Sequence, residues 1–83
     1  MKKFPVFKVF VWVDDSTREN GFDLIKLDEF NNPHDALRLY GKTHVNGSIR
    51  EVILEMETED DAFDVLQKDE TGNILNRVHK LPL

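Results

Sequence analysis

The strongest constraint on this chain lies near its start. Residues 4–13 read FPVFKVFVWV, a run of valines and aromatics interrupted by Lys8. β-Branched and aromatic side chains favour strands, and a strand sends alternate side chains to opposite faces. The odd positions Pro5, Phe7, Val9, Val11 and Val13 give one wholly apolar face. The even positions Phe4, Val6, Lys8, Phe10 and Trp12 give a second face with three aromatics and one lysine. A half-solvated strand carries polar residues on its outer face, so this one needs cover on both sides. Three readings meet that need. The chain itself covers the even face. Or Phe4, Lys8, Phe10 and Trp12 form a homodimer or partner interface, where exposed aromatics concentrate. Or the face stacks single-stranded nucleic acid on Phe10 and Trp12, with Lys8 meeting a phosphate.

The rest of the chain alternates turns with regular segments. Asp14–Gly21 (DDSTRENG) is polar and ends in Asn-Gly, the chemistry of a turn,. Phe22–Leu27 then returns as a second strand. Asn32-Pro33-His34-Asp35 starts a helix: Asn caps, Pro suits the first helical position, and Asp35 favours the positive end. The apolar spacing of Ala36, Leu37 and Tyr40 carries the helix to Tyr40 and at most to His44, with Gly41 or Asn46-Gly47 as the stop. Ile49–Thr58 alternates, with Val52, Leu54 and Met56 on one side and Glu51, Glu55 and Glu57 on the other. Glu59-Asp60-Asp61 turns the chain. Ala62–Lys68 and Ile74–Leu81 read as a last hairpin around Gly72. The expected fold is therefore α+β, in the order β-β-α-β-β-β: a mainly antiparallel sheet with one helix packed on one face, as a single small domain over residues 1–83.

Charge is concentrated rather than spread. The net charge of −5 over 83 residues averages a front half (1–50) at +1 and a back half (51–83) at −6, and within 51–70 nine acids face Lys68 alone. Glu51, Glu55, Glu57 and Glu59 share one parity with Ile53 among them, and Asp60, Asp61 and Asp64 extend the negative charge. One reading is a solvated strand face that blunts edge pairing. The sharper reading is a docking surface for a basic partner, at its extreme a mimic of a phosphate backbone, with the field speeding association.

Several chemistries find no support. The chain has no cysteine, which removes disulfides, thiolate zinc sites and cysteine nucleophiles,. His34, His44 and His79 do not fall at metal-ligand spacings, and neither DDSTRENG nor KDETGN aligns with a calcium loop. No P-loop, GxGxxG or nucleophile elbow is present. Asn46-Gly47-Ser48 is a formal glycosylation sequon, better read as turn chemistry. No run approaches the ~20 apolar residues of a membrane span. Met1-Lys2-Lys3 followed by an apolar run looks like a secretion signal only until Lys8 and the lack of a small-residue cleavage site are counted. Cytoplasmic localisation is the expectation.

These observations converge on a non-enzymatic binding module without cofactor or metal. It would be a small regulator or inhibitor that occupies a basic surface of a partner protein. The expected partner-binding residues are Glu51, Glu55, Glu57, Glu59, Asp60, Asp61 and Asp64. Phe4, Lys8, Phe10 and Trp12 form the expected interface or stacking surface, with a homodimer as one use of it. Single-stranded nucleic-acid binding is the alternative, against which the acidic charge weighs. A small enzyme without a recognisable motif comes third.

Overall fold

The computed structural model describes residues 3–70 and, as backbone alone, 74–76. Its elements follow the expected order: β1 (Val6–Asp14), β2 (Phe22–Phe30), α1 (Pro33–Lys42), β3 (Ile49–Glu57), β4 (Ala62–Asp69) and β5 (Ile74–Asn76). The strands form one sheet in the order β2-β1-β3-β4-β5, and every neighbouring pair is antiparallel. The fold is thus α+β, with β1 paired on both edges. The interior position pairs both edges of β1, and its odd face meets the helix, which accounts for the apolar residues there,.

The helix forms where its cap signal stands. Asn32 is extended (φ −135°, ψ 146°), and its side-chain oxygen accepts from the Asp35 backbone N–H at 2.9 Å. Pro33 opens the first turn. The helix runs through Gly41 rather than stopping there. It closes at Thr43, whose N–H donates to the Leu39 and Tyr40 carbonyls while its hydroxyl donates to Leu39 at 2.7 Å. Gly47, with φ +55°, serves the turn into β3 instead.

One face of the sheet holds the core. Phe7, Val9 and Val11 of β1 pair with Met56, Leu54 and Val52 of β3, and all six are buried together with Ala36 and Tyr40 of α1. Burying a side chain of this kind completely contributes about 1.5–3 kcal/mol. The β3–β4 pairing skips Val65, passing from Leu54↔Leu66 to Glu55↔Asp64. This bulge lets both Val65 and Leu66 lie buried,. On the helix side, Lys68 donates to the Tyr40 carbonyl at 3.0 Å and sits 4.6 Å above the Tyr40 ring. Burial lowers the Lys68 pKa and raises that of Tyr40, whose buried hydroxyl has no hydrogen-bond partner among the described residues.

Several boundaries differ from the sequence reading. β1 begins at Val6, so Phe4 lies before the strand, ahead of a cis bond to Pro5. β2 continues to Phe30, because its pairing with β1 extends to Phe7↔Phe30. β3 ends at Glu57, and Thr58 closes the following turn with Asp61. Glu59 therefore leaves the parity of Glu51, Glu55 and Glu57 and stands in that turn with Asp60 and Asp61. The part of the last strand expected beyond Asn76 lies outside the described residues, as do Gly72 and His79. None of the helices described is long and apolar enough to cross a membrane.

Candidate functional site

The sheet face opposite α1 carries the candidate site. Strand register arranges its side chains in rows that run across β2, β1, β3 and β4. The first row is Leu24, Trp12, Glu51 and Asp69; the second is Lys26, Phe10, Ile53 and Gln67. The third is Glu29, Lys8, Glu55 and Asp64, and the last is Val6, Glu57 and Ala62. Rows on a strand are about 6.7 Å apart and neighbouring strands about 4.8 Å. The aromatic residues of β1 and the glutamates of β3 are therefore adjacent columns of one surface. The sequence presents them as two separate features some forty positions apart.

The apolar side of this surface, on β2 and β1 with Ile53 of β3, is only partly covered. Val6 and Ile53 are buried, at 2% and 7% exposure, although they fall outside the helix-side core cluster. Phe10 and Trp12 are half-buried. Beside them Phe22 and Leu24 are more than 40% exposed. The expectation that the chain covers the even face of β1 thus holds for Val6 and only in part for Phe10 and Trp12.

The acidic side of the face, on β3 and β4, is locally frustrated. Glu51 stands directly across from Asp69, and Glu55 directly across from Asp64. Like charges in such positions destabilise a sheet. Lys8 relieves one site: its ammonium lies 2.8 Å from Glu57. Its pKa is raised first by that hydrogen bond and then by the negative charges of Glu57, Glu55 and Glu29. Glu55 has its pKa raised, chiefly because burial disfavours the carboxylate, with Asp64 and Glu57 adding repulsion and Lys8 opposing them. Glu51 accepts a hydrogen bond from the Gln67 amide.

At the Trp12 end the loop between β1 and β2 raises a wall. Asp15 binds the Thr17 backbone and hydroxyl, which lowers its pKa, and Gly21 turns with φ +81°. On the other side the β1–β3 pairing skips Arg50. This bulge turns its guanidinium onto Asp14 at 2.9 Å and Glu70 at 2.6 Å,. Between the walls lies an open groove of about 750 Å³, lined by Trp12, Phe22, Asn20, Arg50 and the carboxylates of Asp14, Glu51, Asp69 and Glu70.

Of the residues singled out from sequence, Lys8, Phe10, Trp12, Glu51, Glu55, Glu57 and Asp64 converge on this face. Phe4 precedes it, and Glu59, Asp60 and Asp61 stand in the turn at its far end. Phe22, Leu24, Asp69 and Arg50 belong to the surface but could be placed only once the strand pairing was known. Among the described residues no group of His, Asp and Glu is arranged to hold a metal ion. No protein-family model matches the chain, and neither a curated protein nor a solved structure is detectably similar to it.

Proposed function

We propose that the chain is a non-enzymatic binding module whose open sheet face docks onto a basic surface of a partner protein, as a small regulator or inhibitor would. One observation carries this reading. Trp12, Phe10 and Leu24 abut Glu51, Glu55, Glu57 and Asp64 on a single face that the helix leaves uncovered. Apolar anchors at the centre of an interface supply affinity, and a charged flank supplies encounter rate and selectivity. A second copy of the chain would use the apolar side chains alone and set its own carboxylates near these. Charge complementarity therefore favours a basic partner over a homodimer. Nucleic acid fits the face poorly, because Lys8 is held by Glu57 and ringed by carboxylates that would meet a phosphate,.

The test is affinity capture at low and high salt, with Glu51→Lys and Glu55→Lys beside Glu59→Lys. A basic partner should be retained by the wild type and by Glu59→Lys at low salt. It should be lost from the two face variants and at high salt. A partner held equally by all variants at both salts overturns the reading. Quenching of Trp12 fluorescence by a single-stranded oligonucleotide would favour the nucleic-acid alternative.

A further inference from the structure

We infer that Asp23 and Asp28 hold the outer edge of β2 shut against pairing with a second copy of the chain. β2 stands at one end of the strand order, and among the described residues β1 is its only strand partner. It is nine residues long and carries Phe22, Leu24, Ile25 and Leu27, each more than 40% exposed. Register places Leu24 beside Trp12 on the open face and Ile25 beside Val11 on the helix side. The strand is thus apolar on both faces and open along one edge, a combination that recruits a further strand. A second β2 presents the same groups in antiparallel order, so a two-fold pair would be self-complementary.

Backbone donors along that edge are already occupied. In an antiparallel pair, alternate residues turn their N–H groups toward the partner strand and away from it. The Leu24 N–H donates to Asp23 Oδ1 at 3.0 Å, and the Glu29 N–H donates to Asp28 Oδ1 at 2.8 Å. Two residues before Leu24, the Phe22 N–H donates to Asn20 Oδ1 at 3.1 Å. A nearby side chain therefore takes the place that a neighbouring strand's carbonyl would hold. Arg18 steadies the first of these caps, its guanidinium lying 3.2 Å from the same Asp23 oxygen. An incoming strand would have to displace these acceptors before forming its own ladder.

Two further features act in the same direction. The pairing with β1 skips Leu27, passing from Phe10↔Lys26 to Val9↔Asp28, and such a bulge breaks the even spacing of an edge,. Lys26 lies 2.5 Å from Glu29, which sets an ion pair on the same strand, and charged side chains blunt an edge,. The closure of β2 is independent of what the open face binds.

The test is sedimentation velocity of the full chain carrying Asp23→Ala and Asp28→Ala, singly and together. The double variant should self-associate at concentrations at least about tenfold lower than the wild type. Each single variant should shift in the same direction by less, and these carry the test should the double variant not fold. Asp23→Asn with Asp28→Asn keeps both acceptor oxygens and should stay close to the wild type. Adding Leu24→Lys to the double alanine variant should restore the monomer. Hydrogen exchange followed by NMR locates the contact: the Leu24 and Lys26 amides should slow as the alanine variants associate. The closed edge is overturned by a wild type that already dimerises through β2 or by alanine variants that stay monomeric. Equal association of the asparagine and alanine variants, or association that leaves β2 exchange unchanged, overturns it as well.

Discussion

Trp12 of β1 stands directly across from Glu51 of β3. This pairing joins the two unusual halves of the sequence into one surface, because it fixes the aromatic column and the acidic column side by side. The same register sets Lys8 across from Glu55. The lone cation of the β1 face thus lies among carboxylates.

Glu55→Gln should stabilise the protein near pH 7. The folded-state pKa of Glu55 is raised above its ordinary 4.5. The folded protein therefore binds that proton more readily than the unfolded chain, and the ionised carboxylate carries a penalty at higher pH. The penalty is absent below 4.5 and complete once the pH exceeds the raised value. Urea titrations should show a gain of about 0.5 kcal/mol at pH 7, chiefly because a buried charge is removed and secondarily because the opposition to Asp64 is relieved,. The gain should vanish at pH 3.5.

Lys8→Gln should act in the opposite sense. It removes the partner of Glu57 and the counter-charge that lowers the Glu55 pKa. A loss of about 1 kcal/mol is expected at low ionic strength, shrinking as salt screens the remaining carboxylates. Carboxyl titration by NMR should show Glu55 moving further upward.

Tyr40→Phe should be neutral or stabilising by up to about 1 kcal/mol, since it deletes a buried hydroxyl that has no partner among the described residues,. The ring beneath Lys68 remains. Tyr40→Ala should cost about 3 kcal/mol through the cavity it leaves in the core. Thermal melts of the two variants separate the hydroxyl from the ring.

Asn32→Ala should cost about 1 kcal/mol, because it removes the acceptor for the Asp35 N–H at the start of α1,. Asn32→Asp keeps the acceptor but exchanges the amide that donates to Asp35 Oδ2 at 3.0 Å for a second carboxylate, so it should recover only part of that stability,. Denaturation midpoints of the three proteins check the cap directly.

Much of this fold is legible from local chemistry. The alternation of Val52, Leu54 and Met56 with Glu51, Glu55 and Glu57 is a property of neighbouring residues, and so is the Asn32–Pro33 cap. Both appear in the structure where the sequence places them. The extent of β2 was not legible, because Asp28 and Glu29 look like the end of a strand until their pairing with Val9 and Lys8 is known. The site was half legible for the same reason. Its residue types stand out along the chain, but the juxtaposition of Trp12, Glu51 and Asp69 is made by strand register, and the placement of Arg50 by a bulge. Glu59 was misplaced because parity continues on paper after a strand has ended.

The interior position of β1 also governs how the molecule reaches its native state. β1 precedes β3 along the chain, so its second edge stays open until β3 exists, with Val6 waiting for Glu57. Such distant pairings must be closed against chain entropy before they repay it, which places folding at about milliseconds to seconds rather than microseconds. During synthesis the strongly apolar β1 emerges before β3 and finds this partner late. The nascent chain therefore holds an aggregation-prone strand until β3 has been made.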